Sequence, residues 1–177
     1  MRILLVRHAP SAVQGICYGQ SDIQCQLEAT AAADHIARQL LDDRPDEIWA
    51  SPWVRTRRPA EVLAACFGVS LRIDARLSEL AMGSFEGRPY AELENDPAFA
   101  AWMQNWRTSA PPGGETLAQL AARVRDFREE QRQRRGTLLA VTHAGVIRAL
   151  RAIERGVSPD EGVTDPVAHL VPELLAQ

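Results

Sequence analysis

Met1-Arg-Ile-Leu-Leu-Val-Arg-His-Ala-Pro10 opens the chain and carries its clearest structural signal. Ile3 to Val6 are an unbroken apolar run, too short for a helix and bounded at once by charge and proline. Such a run predicts a strand that is buried on both faces, as in a parallel sheet. Arg7 and His8 follow at its carboxyl end, where open α/β sheets bind ligands. Taken alone, the stretch fits two interpretations: an anion site with a titratable group, or a charged strand end that caps the core.

Length and composition favour one globular domain with a substantial core. The chain has 177 residues, of which 46% are hydrophobic and 24% are charged. Every apolar run is too short for a transmembrane helix, and no signal-peptide pattern precedes the first strand. A net charge of −3 argues against a nucleic-acid partner. We therefore expect a cytoplasmic protein with no membrane and no nucleic acid among its partners, and we leave a homodimer open.

The basic residues narrow the chemistry, because all 20 are arginine and the sequence contains no lysine. This excludes a Walker-type phosphate loop, a Schiff-base lysine and a lysine general base. A bound anion must be held by arginine, histidine, backbone amides or helix ends. The three scattered cysteines, Cys17, Cys25 and Cys66, lack the paired spacing of a zinc site or a disulfide framework.

Predicted strands alternate with predicted helices along most of the chain. The strands are expected at 3–6, 46–50, 69–73 and 137–141, and the helices at about 27–41, 52–67, 117–134 and 146–153. Ser51 is the expected cap of the second helix, with Pro52 in its first position. This alternation indicates an α/β fold with a mostly parallel sheet.

Two segments depart from the alternation. Residues of about 88–115 predict a lid-like helical insertion in a single domain that spans 1–177, with Phe99, Trp102 and Trp106 on a shared apolar face. The tail, 154–177, contains three prolines and a short apolar stretch that can add an edge strand. We assign His169, which lies in that tail, no role.

Basic side chains are expected to meet at one edge of the sheet. His8 follows the first predicted strand, and His143 follows the fourth. Arg55 lies in the first turns of the helix that follows the second predicted strand. Because parallel strands end at the same edge, these groups should converge there with Arg7. Arginine forks match the oxygens of a phosphate, and the amide of Ala144 can add a further donor.

This set of groups suffices for phosphoryl transfer through a phosphohistidine. Nearby positive charge favours the neutral imidazole that a nucleophilic histidine requires. A glutamate such as Glu79, in a glycine-punctuated loop with Glu86, can protonate the leaving oxygen. Positioning and charge stabilisation supply most of the rate enhancement in such transfers. We expect a small-molecule phosphate ester as substrate, and neither a metal nor another cofactor.

These residues lie in motifs that resemble those of the histidine phosphatase superfamily, the phosphoglycerate-mutase-like proteins. The four motifs are Leu5-Val-Arg-His-Ala9, Ser51-Pro-Trp-Val-Arg55, Leu77-Ser-Glu79 with Gly83 and Glu86-Gly87 after it, and Val141-Thr-His-Ala-Gly145. The resemblance implies a three-layer α/β/α sandwich with a mostly parallel central sheet. It also implies that His8 is the phosphorylated nucleophile and Glu79 the proton donor. Arg7, Arg55 and His143 would bind the phosphoryl group.

The sequence departs from the family pattern beside the site. The departures are Ala9 for a glycine, Pro10 for a glutamate, Gln14 where many members place an asparagine, Gln24-Cys25 for Pro-Leu, and Pro59 near a usual threonine. None of them removes a charged group. We expect Gln14 still to donate to the phosphate, with a longer reach.

Three functions are weighed. The first is a phosphomonoesterase, either broadly specific for metabolites or similar to the α-ribazole phosphatases, whose loops resemble residues 17–22, 102–106 and 111–116 here. The second is a phosphoglycerate mutase, for which 177 residues leave little room for the larger lid insertions expected. The third is a catalytically silent phosphate-binding module. Against it argues the presence of all five charged groups of the motifs, namely Arg7, His8, Arg55, Glu79 and His143. We expect the first, with α-ribazole 5′-phosphate as substrate.

Overall fold

Five strands form the central sheet of the computed structural model, which describes residues 1–175. The strands are β1 (Arg2–Arg7), β2 (Glu47–Ala50), β3 (Ser70–Ile73), β4 (Thr137–Thr142) and β5 (Glu173–Leu174). Their order across the sheet is β3-β2-β4-β1-β5, and all neighbours are parallel except β1 and β5. The predicted parallel sheet is confirmed, and so is the edge strand expected in the tail. The last two residues of that tail, 176 and 177, lie outside the described part.

Helices cover both faces of this sheet. They are α1 (Ala29–Gln39), α2 (Val54–Phe67), α3 (Tyr90–Leu93), α4 (Pro97–Asn105), α5 (Leu117–Arg132) and α6 (Ala144–Arg155), with 3₁₀ turns at Ala75–Leu77 and Gly83–Phe85. Alternate residues of β1 enter opposite cores, since Leu5 packs with α5 and α6 while Val6 packs with α1 and α2. This is the three-layer α/β/α sandwich that the resemblance of the motifs implied. None of the helices in residues 1–175 is both long and apolar enough to cross a membrane.

The start of α2 differs from the prediction, and Ser51 does not cap it. The helix begins at Val54, whose backbone N–H donates to the carboxylate of Asp22 over 2.6 Å. The Ser51 hydroxyl instead contacts His143 Nε2 at 2.7 Å and Thr56 Oγ1 at 2.6 Å. A carboxylate from a distant loop therefore serves the helix terminus and releases the serine for the site.

An aromatic cluster anchors the segment between β3 and α5. Phe85 is fully buried, and its ring lies 5.2 Å from that of Phe99 and 5.9 Å from that of Trp102. Trp106 lies beyond the end of α4 and stacks instead with the guanidinium of Arg107, 4.5 Å from the ring centre. The expected shared face is correct for two of its three members. The motion of the segment as a lid stays a prediction.

Glu86 joins two loops that lie far apart in the sequence. Its carboxylate accepts hydrogen bonds from the backbone N–H of Gly19 at 2.9 Å, Gln20 at 2.8 Å and Met82 at 3.0 Å, and from the Ser21 hydroxyl. Burial by itself would raise the pKa of Glu86, but these donors outweigh it and hold the pKa below its ordinary value. The carboxylate is thus a structural tie and not a solvated charge.

We predict that Glu86→Gln lowers the free energy of unfolding by about 1–3 kcal/mol at pH 7, because an amide replaces a charged acceptor of several donors. Since the folded-state pKa of Glu86 is depressed, its stabilising contribution is complete above the unfolded pKa. It disappears as the pH falls through the folded value. The difference between the two proteins in urea unfolding should therefore shrink from pH 7 to pH 3. Glu61→Gln, at an exposed position in α2, is the matched control, and a difference independent of pH would contradict the role of Glu86.

Candidate active site

Three neighbouring strands deliver the predicted site residues to one edge of the sheet. His8 directly follows β1, His143 directly follows β4 and precedes α6, and Arg55 lies in the first turn of α2 after β2. The rings of His8 and His143 are 5.2 Å apart between centroids. The convergence expected from the strand order is therefore present.

A cavity of about 440 Å³ opens at this edge. It is lined by Arg7, His8, Gln14, Tyr18, Arg55, Glu79, Tyr90 and His169, among others. His143 is fully buried behind His8 and does not line it, and neither does Ala144, which is 7% exposed. The predicted residues thus lie together in two layers, with the second histidine beneath the first.

His8 is held as a neutral imidazole with one defined tautomer. Its Nδ1 lies 2.7 Å from the backbone oxygen of Ala9. A carbonyl oxygen only accepts, so Nδ1 carries the proton and Nε2 keeps a free lone pair. Burial, together with the positive charge of Arg55, lowers the pKa of His8 to about 3. The imidazole is therefore uncharged and nucleophilic at neutral pH.

His143 is fixed from behind by a pair of hydroxyl groups. Its Nε2 lies 2.7 Å from Ser51 Oγ, which in turn lies 2.6 Å from Thr56 Oγ1. The hydroxyl of Thr56 also donates to the backbone oxygen of Trp53 over 2.9 Å. Burial, with a smaller contribution from the charge of Arg55, holds the pKa of His143 well below its ordinary value. This imidazole too is neutral at neutral pH.

Arg7 and Arg55 place positive charge in the site, and their hydrogen bonds go to backbone oxygens and not to carboxylates. Arg7 donates to the backbone oxygen of Val167 over 2.9 Å, and Arg55 donates to those of Ser21 and Gly19. Within residues 1–175, neither guanidinium forms an ion pair. The Nε atoms of both, and Nδ1 of His143, are buried and lack a hydrogen-bond partner in the same part of the chain. Buried cations held only by neutral dipoles favour the binding of an anion.

Glu79 projects from its loop onto the start of α6. Its carboxylate accepts hydrogen bonds from the backbone N–H of Gly145 at 3.1 Å and of Leu80 at 2.9 Å. A Cβ atom on Gly145 would lie 2.0 Å from Glu79 Oε1, so only glycine leaves room for the carboxylate here. Arg123, paired with Glu115 at 2.7 Å, donates to the backbone oxygen of Glu79 and holds the loop from below.

A second cavity, of about 310 Å³, adjoins the first. The two share Tyr18, Glu79 and Tyr90 as lining residues. Most of the remaining walls are apolar side chains, with Arg148 as a single added cation, and they include Leu80, Met82, Leu117, Leu120, Ala149 and Val163. Glu79 therefore stands between a cationic chamber and a largely apolar one.

Three residues of these cavities carried no role in the sequence interpretation. Tyr18 lies inside the quoted segment 17–22, and Tyr90 begins α3, so their aromatic character was the only available signal. His169 had no motif at all, because the tail reaches the site through backbone pairing with Arg7. In residues 1–175, no group of three or more histidine, cysteine or acidic side chains is arranged to hold a metal ion.

Comparison with known proteins defines the class. The sequence model of the histidine phosphatase superfamily (branch 1) matches residues 3–168. The chain belongs to the histidine phosphatase superfamily, whose members are phosphatases or mutases.

Individual relatives differ in their named activities. The chain is 29% identical over 161 residues to putative phosphoserine phosphatase 2 of Hydrogenobacter thermophilus, covering 88% of this chain and 79% of the relative. It is 25% identical over 158 residues to the adenosylcobalamin/alpha-ribazole phosphatase of Escherichia coli K12, covering 86% and 78%. The crystal structure of the alpha-ribazole phosphatase from Shigella flexneri superposes with a TM-score of 0.89 at 23% identity, covering 98% of this chain and 89% of the other. This last match shows the shared fold.

We predict that Ser51→Ala destabilises the protein by about 1–3 kcal/mol, because it leaves a buried imidazole nitrogen of His143 without a partner. Urea unfolding measures the loss. Ser70→Ala, at an exposed position in β3, is the control for the same chemical change. Equal losses in the two variants would show that the hydroxyl of Ser51 does not support His143.

Proposed function

We propose that this protein is a metal-independent phosphomonoesterase that acts through a phosphohistidine on His8. The observation that carries the proposal is the state of His8. It is buried and neutral, its Nδ1 proton is engaged by Ala9, and its free Nε2 stands beside two guanidinium groups without carboxylate partners.

The first half-reaction transfers the phosphoryl group to the protein. Arg7 and Arg55 bind the phosphate oxygens and balance their charge, while Nε2 of His8 attacks phosphorus in line with the ester oxygen. The P–O bond to the alcohol breaks as the N–P bond forms. Glu79 in its acid form gives its proton to the departing oxygen, and the alcohol leaves.

The second half-reaction restores the free protein. The Glu79 carboxylate takes a proton from a water molecule as that water attacks phosphorus, and the N–P bond breaks. Inorganic phosphate leaves, His8 regains its lone pair, and Glu79 regains its proton. The cationic lining stabilises the charge on the transferring group in both steps. His143, beneath His8, is the remaining group that we assign to the binding of the phosphoryl group.

We further propose α-ribazole 5′-phosphate as the substrate. Its leaving group is a nucleoside with a bicyclic aromatic base, a bulky and partly apolar alcohol. The second cavity supports this choice, because its apolar walls and Tyr18 and Tyr90 adjoin Glu79 at the point where the alcohol must depart. The relative from Escherichia coli K12 gives independent support. Serine or glycerate esters are small and charged, and they would leave these apolar walls uncovered.

We predict that the purified protein hydrolyses p-nitrophenyl phosphate in the presence of EDTA and forms an acid-labile phosphoenzyme. His8→Ala should abolish both, because it removes the imidazole at the end of β1 that we propose as the nucleophile. Since the pKa of His8 is about 3, protonation of this residue should cause no fall in kcat/KM as the pH is lowered through 6.5. His35→Ala, on the exposed face of α1, is the control. Undiminished turnover by His8→Ala would disprove the mechanism.

We predict that α-ribazole 5′-phosphate has a higher kcat/KM than phosphoserine, ribose 5-phosphate or 3-phosphoglycerate in a panel of esters. Conversion of 3-phosphoglycerate with its bisphosphate cofactor would indicate a mutase, and no turnover of any ester would indicate a silent module.

Glu79→Gln should slow the hydrolysis of alkyl esters by about 10²–10⁴-fold, the range typical of a lost general acid. It should slow p-nitrophenyl phosphate much less, because that phenol departs without protonation. Equal slowing of both classes would remove the acid role from Glu79.

A further inference from the structure

His169 belongs to the active-site cavity although no motif contains it. It lines the cavity of about 440 Å³ together with His8 and Glu79. Its ring centroid lies 5.6 Å from that of His8. The phosphotransfer steps described above do not use this third imidazole, so its place beside the nucleophile calls for a separate account.

The tail holds His169 in this place by several contacts. The backbone N–H of Leu170 donates to the oxygen of Arg7 over 2.9 Å, and Gln39 Nε2 donates to the oxygen of Leu170 over 2.8 Å. Leu170 has a φ of 59°, the one positive value at a non-glycine residue among residues 1–175. A leucine disfavours this left-handed conformation, so the surrounding structure must enforce it. Such enforced strain is found where the fold must deliver a particular side chain.

The hydrogen bond of Nδ1 determines what His169 offers to the cavity. Nδ1 lies 2.6 Å from the backbone oxygen of His8, and this oxygen can only accept. Nδ1 therefore carries the proton, and Nε2 of the neutral ring has a lone pair. Burial lowers the pKa of His169, its bond to His8 offsets part of that effect, and the charge of Arg7 lowers it again. The ring is thus neutral at neutral pH, and Nε2 is a hydrogen-bond acceptor.

A hydrogen-bond acceptor such as Nε2 of His169 cannot bind the oxygens of the phosphate itself. The oxygens of a phosphate dianion carry no hydrogen, and the guanidinium groups of Arg7 and Arg55 already supply donors for them. The partner of His169 Nε2 must bring its own O–H or N–H. In the dianion of a phosphate ester, such a hydrogen is carried by the leaving alcohol and not by the phosphate.

We propose that Nε2 of His169 accepts a hydrogen bond from a hydroxyl group of the leaving alcohol, so that the site selects phosphate esters of sugars and other polyols. The proposal rests on the proposed phosphatase activity and deepens it. It assigns a substrate contact to the tail, and it places that contact in the first cavity, beside the nucleophile.

The test compares two esters that differ in hydroxyl groups alone, glycerol 3-phosphate and n-propyl phosphate. We expect the protein to favour the glycerol ester in kcat/KM by about 3- to 10-fold, the worth of one hydrogen bond. The shorter side chain in His169→Asn keeps an amide donor near the Nδ1 position but does not reach the Nε2 position. The ratio of kcat/KM for the two esters should therefore fall to about one. His169→Gln, whose amide reaches the Nε2 position, should restore part of it. His35→Asn, on exposed α1, should leave the preference unchanged.

Several outcomes would overturn the proposal. These are an absence of preference in the unaltered protein, a preference that survives His169→Asn, or an equal loss on both esters, which would mean that His169 only supports the His8 backbone. Turnover of p-nitrophenyl phosphate is measured in parallel. If that activity is present and depends on His8 while the preference is absent, the inference about His169 fails alone. If that activity is absent, the proposed phosphatase function itself fails.

Discussion

The parallel pairing of β4 with β1 on one side and β2 on the other is the constraint on which the site depends. The register aligns Arg7 with Thr142 and Ala50 with Val141, so all three strands end at one level. The residues just beyond those ends become neighbours for that reason. A slip of one residue would turn every side chain of a strand to the opposite face and separate the two histidines.

Positive charge that forms no ion pair within residues 1–175 is the second organising feature. Arg55 is 2% exposed and is held by carbonyl oxygens of the loop before α1, and Arg7 is held by a carbonyl of the tail. Burial, with this charge as a smaller cause, lowers the pKa of both neighbouring imidazoles and keeps them neutral. The same arrangement thus favours a bound anion beside two neutral imidazoles.

Carboxylates from distant parts of the chain give the loops their shape. Asp22 holds the start of α2, and Glu86 gathers two loops around its oxygens. Glu79 rests on the first turn of α6 against Gly145. Each of these carboxylates accepts hydrogen bonds from backbone N–H groups, and together they tie the loops around the cavity to one another and to the two helices.

The local patterns of the sequence determined the strands, most of the helices and the five groups at the sheet edge. Apolar runs and helical spacing record which faces are buried, and strand ends in a parallel sheet share one edge. The tertiary structure alone decided the rest. Ser51 read locally as a helix cap, yet it supports His143, because Asp22 takes over the helix terminus from 32 residues away. His169 reached the site only because the tail pairs with the end of β1, a contact between residues about 160 positions apart that no local pattern encodes.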